Sequence, residues 1–421
     1  MSMRSAFLIL ILGIAIVLAA GCIQSAPAVP QEVTPPAVKE TRTAPATPVL
    51  TMTSPVPPIP LPSTKGINLA YELELNGLDT GTYVPESVDV INPVTGTVLY
   101  TPDAKVFRRT YQPASDPLPT ADERRTGTLR LSTPRISIWF KTDPTAVPEK
   151  LIHRLTLNRS ALGLPPLTIT GGEVTVNRRD TPVVIGSPVR GSAWVVMETT
   201  EPTTHHFLMP VTMFNRTTVD QRYAQDWFHI DPVTGNAATG NASFARNFTG
   251  YGKDLYAVAD GTVVVARDGV PENEIIYHKI PFAFETGTGN TVVIDIGDGK
   301  YAGYCHLVPG SVKVTAGDRV KEGDIIGQLG NTGQSDVPHL HFEVVTGRPS
   351  IMGAEGYPFV FREFELVADG LSQNTMDEKA VGPEYEGDQA WAKLGDFVTF
   401  FSKPVPWKNK LQENWAIVRF P

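Results

Sequence analysis

Cysteine is nearly absent: the 421 residues contain two, Cys22 and Cys305. If Cys22 is taken up by an N-terminal signal, no internal disulfide is possible, and the fold must rest on its apolar core. Positive charge is also short. Lys and Arg number 36 against 44 Asp and Glu, a net charge of −8 with no basic run, which argues against a nucleic-acid partner. The apolar run at residues 6–20 is too short for a comfortable membrane span. Charged residues at 19% and hydrophobic residues at 41% are ordinary for a globular protein. Gly and Pro are plentiful, at 36 and 37, and lean the chain towards turns and strands. The length allows two domains with their own cores.

Arg4, the apolar run and the sequence Leu18-Ala19-Ala20-Gly21-Cys22 resemble a lipoprotein signal, in which the Cys becomes the acylated first residue. The usual pattern has Leu where Ala19 stands. An uncleaved signal anchor is the other reading. The expectation is a signal peptide over 1–22 and an extracytoplasmic protein held to the membrane through a lipid anchor at Cys22; two lipid chains hold stably where one does not. Residues 23–65 are dominated by Pro, Thr, Ala and Val and predict a disordered linker. At roughly 3 Å per residue such a stalk reaches on the order of 100 Å.

From 66 to 200 short alternating segments, at 69–75, 87–91, 128–131, 136–140, 173–176 and 193–197, sit between turns. Period-two alternation predicts an all-β sandwich. His153 is alone there and reads as a structural or surface residue. Residues 201–365 are again β-rich, with strands expected in 256–266, 291–296, 324–327 and 339–345. Residues 366–421 read as an extension packed on the β domains. Its Trp391, Trp407 and Trp415 suggest packed structure, and the tail 415–420 reads as a strand returning to the first domain.

Three of the eight histidines fall in Tyr304-Cys-His-Leu307 and Pro338-His-Leu-His-Phe-Glu343. In a strand, residues i and i+2 share a face, so His339 and His341 project together while Leu340 and Phe342 enter the core. Two imidazoles on one face can place one nitrogen on a metal and the other beside a metal-bound water. By itself, His-x-His reads more often as the solvated polar face of a strand. Strand alternation also turns Cys305 away from His306 and into the core, as a free, non-catalytic thiol.

The ordered segments GNTVVIDI (289–296), YAGYCHLVPGS (301–311), VKEGDIIGQLGNTG (320–333) and PHLHFE (338–343) resemble the core of LytM/lysostaphin-type zinc metallopeptidases. Upstream, YGKDLYAVADGTVV (251–264) is similar to the strand pair that follows the metal-binding Asp of that family. The resemblance covers roughly 160 residues and implies a LytM-type β-sheet peptidase domain binding Zn2+. By the resemblance, His341 matches a zinc ligand, His306 and His339 match the two catalytic histidines, and Asp226, in QRYAQDW (221–227), matches the Asp ligand. The family usually carries its first ligand, a His, four residues before the Asp. Arg222 stands there, and a charged guanidinium has no lone pair to offer. His205-His206 resembles the arrangement of a subset of the family; His206 is preferred to His205 as nearer to the segment, and His229 ranks last because it would face the wrong way. Arg222 would share the Asp226 face and orient it or a substrate carboxylate.

The resemblance implies a zinc metalloendopeptidase acting on peptide bonds of peptidoglycan or other envelope peptides. The alternative is a catalytically inactive relative that binds or activates at the envelope. A third reading takes 314–330 as half of a lipoyl- or biotinyl-type sandwich, but the stretch lacks the Met-Lys pair such carriers modify.

Overall fold

The computed structural model describes residues 50–372 and 387–421. The expected signal peptide, Cys22 and most of the expected linker lie outside the described residues. The described residues are mostly β, as the alternation predicts, with two short α-helices at Ala104–Thr110 and Ala121–Thr126.

The N-terminal part is built of two sheets. One has the order Thr51–Thr53, Gly66–Asn76, Arg135–Thr142, Tyr111–Gln112, with Leu61–Ser63 also on Gly66–Asn76. The other runs Val98–Tyr100, Val84–Ile91, Lys150–Asn158, Leu167–Thr175. Leu69, Tyr71, Leu73 and Leu75 meet Ile136, Ile138, Phe140, Val88, Leu151, Leu155 and Leu157 in one apolar core. Gly66–Asn76 is buried along nearly all its length. Its odd-numbered residues fill this sandwich, while Asn68, Ala70 and Glu72 point to the other side, where Ala70 and Trp139 join the core of the second sheet system. Of the two readings of His153, structural or surface, the structure has the first: it is a core residue. Its Nδ1 donates to Gly172 O at 2.8 Å and its Nε2 accepts from Tyr71 Oη at 2.8 Å, and burial lowers its pKa to about 4.

The second system is a 12-stranded sheet. Its central ladder is Gly191–Met197, Gln225–His229, Leu340–Thr346, Lys300–Leu307, Asn290–Gly297, Gly261–Arg267. Trp194, Trp227, Phe342, Phe359, Phe361 and Phe420 are fully buried on its inner face.

Four expectations differ from this picture. The segment 51–63, placed in the linker, contributes two strands to the sandwich; Met52, Ile59 and Leu61 give it enough apolar surface to bury. Residues 128–131 form no strand. Thr128 makes a single bridge to Thr212 and Leu131 O accepts from Ser115 N, so no neighbour runs alongside to extend a ladder. The segment 193–197 belongs to the large sheet, beside the strand of Asp226. The tail strand Ile417–Phe420 likewise enters the large sheet, between Gly191–Met197 and Phe359–Asp369, and does not return to the first.

Candidate metal centre

Three adjacent antiparallel strands set the site. Asp226 on Gln225–His229 lies directly opposite His341 on Leu340–Thr346, and His341 lies opposite Cys305 on Lys300–Leu307. Residues directly opposite share a face, so Asp226, His341 and Cys305 project together, while Trp227, Leu340 and Tyr304 go into the main core. Period two carries His339 and Glu343 to the His341 side.

His306 reaches this side by another device. Straight alternation from Cys305 would send it towards Tyr304. The register between Asn290–Gly297 and Lys300–Leu307 slips at this point, and His306 adopts φ 66°. This left-handed residue at a bulge re-aims the imidazole. Cys305 therefore sits on the His341 face, not away from it as alternation with His306 suggested, in a small buried cluster with Val293 and Ile351. Burial and the neighbouring Glu343 carboxylate push its thiol well above its ordinary pKa. It stays protonated and apolar in behaviour. Cys305→Ala should leave peptidase turnover largely intact and cost about 1 kcal/mol of stability, read by parallel activity assays and urea unfolding. Complete loss of activity in the folded variant would mean the thiol takes part in the chemistry.

His206 is on a turn, not a strand. Its Nε2 lies 3.4 Å from Asp226 Oδ1. His341 Nδ1 is 3.1 Å and His339 Nε2 3.4 Å from the same oxygen. The rings of His306 and His339 are 4.9 Å apart and those of His306 and His341 5.9 Å. Two donor groups thus adjoin: His306, His339 and His341; and His205, His206 and Asp226. His205 turns outward, exposed, with Nδ1 3.0 Å from Glu198 Oε2. His229 faces away, its Nδ1 2.9 Å from Thr249 Oγ1.

Backbone carbonyls fix the tautomers. His206 Nδ1 bonds Glu198 O at 3.2 Å, His306 Nδ1 bonds Thr332 O at 2.7 Å, and His339 Nδ1 bonds Val337 O at 2.7 Å. A carbonyl oxygen only accepts, so each Nδ1 carries the proton and each Nε2 presents a lone pair. His341 is reversed. Its Nδ1 faces Asp226 and its Nε2 faces Glu343 Oε1 at 3.6 Å.

Electrostatics follow from burial among mixed charges. Burial drives His206 down to about 3, with Asp226 only partly offsetting it. Burial and the neighbouring His339 and His341 hold His306 well below its usual value. Burial opposes ionisation of Asp226, but the surrounding imidazoles win and its carboxyl lies well below the ordinary range. Burial also opposes charge on His341, yet the Asp226 and Glu343 carboxylates on either side carry it to about 10.

Arg222 does not orient Asp226. It sits in the 3-10 turn Asp220–Tyr223, fully buried, with Nη2 2.8 Å from Glu72 Oε2 and 2.7 Å from Glu355 Oε1. A buried cation needs counter-charges, and these two carboxylates supply them. Three further residues frame the site without having been singled out. Glu343 lies two positions beyond His341, where the same periodicity that pairs the histidines points to it. Phe228 stacks on His339 at 5.2 Å, and Trp391 of the C-terminal part stacks on Phe228 at 5.4 Å; no local signal ties Trp391 to the site.

Residues 246–351 match peptidase family M23. This region is similar to M23 domains. The match holds His306, His339 and His341; His206 and Asp226 precede it. Over 122 residues the chain is 36% identical to the peptidoglycan DD-endopeptidase ShyA of Vibrio cholerae, covering 28% of this chain and 24% of that protein. Over 116 residues it is 39% identical to the glycyl-glycine endopeptidase ALE-1 of Staphylococcus capitis, covering 25% and 32%. The chain thus spans about a quarter to a third of these relatives. Among solved structures, the catalytic domain of the antimicrobial peptidase lysostaphin from Staphylococcus simulans is 27% identical, with 32% of this chain and 74% of that chain covered and a TM-score of 0.21. The relatives named are LytM/lysostaphin-type endopeptidases.

Proposed function

We propose that the chain is a zinc endopeptidase of the cell envelope, hydrolysing peptide bonds of peptidoglycan or similar peptides, with His206, Asp226 and His341 as metal ligands and His306 and His339 as catalytic histidines. One observation carries the reading: His206 Nε2 and His341 Nδ1 lie 3.4 and 3.1 Å from Asp226 Oδ1. Zinc bonds of 2.0–2.1 Å at tetrahedral angles require ligand atoms about 3.3 Å apart. Two imidazoles and one carboxylate are a donor set that suits zinc and leaves a fourth position open. Glu343 beyond His341 fits the outer carboxylate that usually backs a ligating His.

A zinc ion there supplies Lewis-acid polarisation of the scissile carbonyl and acidification of water. The chain's own residues do the proton work. His306 and His339 each present a bare Nε2, held by a carbonyl bond at Nδ1, and each can take the proton from the attacking water. The same imidazole, once protonated, steadies the developing oxyanion and hands its proton to the leaving amine as the C–N bond breaks. The low intrinsic basicity of His306 in its buried setting suits it to hydrogen bonding more than to proton storage. The substrate class rests on what the relatives' names say they cut. Envelope placement, with attachment through a lipid at Cys22, rests on the sequence signal.

Elemental analysis with a hydrolysis assay on cross-linked peptidoglycan tests the reading. One zinc per chain and chelator-sensitive release of new amino groups are expected. A folded, metal-free protein that binds the polymer without cutting it would put the inactive binding or activating module in its place. Mass spectrometry of the mature N-terminus should find a lipid-modified Cys22; an unmodified Cys22 sinks the anchor.

A further inference from the structure

His206 differs from the other proposed ligands in having no strand to fix it. It lies on a turn whose internal bonds run from Leu208 N to Thr204 O at 3.2 Å and to His205 O at 3.1 Å, and from Phe207 N to Thr204 Oγ1 at 3.4 Å. Glu198, beyond the strand 191–197, holds the middle of the turn through His205 N at 2.8 Å and His206 Nδ1 at 3.2 Å, and the N-terminal sandwich grips both of its ends. Arg109 Nη2 donates to Thr203 O at 2.9 Å, and Gln112 Nε2 donates to Leu208 O at 2.6 Å. These two bonds bracket His205-His206 from both ends. Between them Phe207, 1% exposed, meets the edge of Trp139 at 5.2 Å. Trp139 is itself pinned by its Nε1 bond to Asn68 Oδ1 at 2.9 Å and also contacts Tyr223 at 5.8 Å. Glu72, on the same face of the sandwich, takes the Arg222 guanidinium four residues before Asp226.

We propose that the N-terminal β-sandwich is a structural part of the metal centre, holding the 203–208 turn through Arg109, Gln112 and Trp139 so that His206 meets Asp226. In this chain the position four before the Asp holds Arg222, which is tied to the sandwich. The ligand comes from a turn that the sandwich immobilises, at 1% exposure and 3.4 Å from Asp226. Arg109, Gln112 and Trp139 are positioning residues; none lies among the donor atoms. This assignment rests on the zinc reading given above.

The test uses the full chain. Arg109→Ala/Gln112→Ala removes both bracketing bonds at the periphery of the fold, and Trp139→Leu removes the support under Phe207. Zinc affinity is measured by competition with a chelator, the cobalt(II) absorption spectrum reports the ligand set, and hydrogen exchange reports the amides of 204–208. Zinc affinity should fall about tenfold or more in each variant, the size usual for loss of an outer support to a ligand. The cobalt spectrum should shift and exchange at 204–208 should accelerate, while Trp139→Phe recovers most of the affinity. Unchanged affinity, spectrum and exchange in folded variants overturns the proposal. If Trp139→Leu fails to fold, the peripheral double variant decides. If the wild type takes up no zinc, the zinc reading fails, and hydrogen exchange alone still shows whether the sandwich orders the turn.

Discussion

Replacing His341 or Asp226 with alanine should leave the protein without zinc and without activity. Asp226 Oδ1 lies within 3.4 Å of nitrogens of His206, His339 and His341, so its loss removes the one anionic donor from a buried group of imidazoles. That charge offsets part of the cost of burying a dication among otherwise neutral donors. His341→Ala removes the ring that spans Asp226 and Glu343 and leaves the Glu343 carboxylate facing a gap. Metal content after dialysis, measured beside circular dichroism, checks this. A folded His341→Ala protein that still carries one zinc per chain would show that the ligand set is drawn wrongly.

His339→Ala should behave differently: zinc retained, turnover down by about a hundredfold or more, the usual size for loss of an acid–base group. Proximity alone does not separate the histidines, since His339 Nε2 and His206 Nε2 are both 3.4 Å from Asp226 Oδ1. Both lie outside strands with Nδ1 on a backbone carbonyl, and what sets His339 apart is its stacking on Phe228 and its ring 4.9 Å from that of His306. Comparing zinc content and kcat for His206→Ala and His339→Ala resolves the roles. Zinc lost from the His339 variant and kept by the His206 variant would exchange them.

The sequence makes some of this legible and hides the rest for physical reasons. His339, His341 and Glu343 share a face by two-residue periodicity, which is local and readable. The inward residues of Gly66–Asn76 and Arg135–Thr142 follow from the same rule. Arg222 is visibly unable to ligate a metal, but its partner Glu72 is 150 positions away, and no local pattern encodes that meeting. The fate of 193–197 and of the tail was hidden for the same cause: strand alternation tells which side is apolar, not which sheet receives it. The 51–63 segment misled because Pro-rich composition masks three buried apolar side chains. The bulge at His306 lies below the resolution of any periodicity argument.

That bulge makes the site sensitive to counting rather than to chemistry. Tyr304, Cys305 and His306 occupy three consecutive places, yet the ladder slips once within them. Deleting a single residue here would let the two strands zip straight, and the imidazole would be traded for whichever side chain the new parity delivers. An insertion would do the same in reverse. Point changes at Cys305 leave that parity untouched. Along this stretch, drift in residue type is tolerable where drift in residue number is not, and viable variants of this chain should keep the spacing from Gly303 to Leu307 fixed even where its letters change.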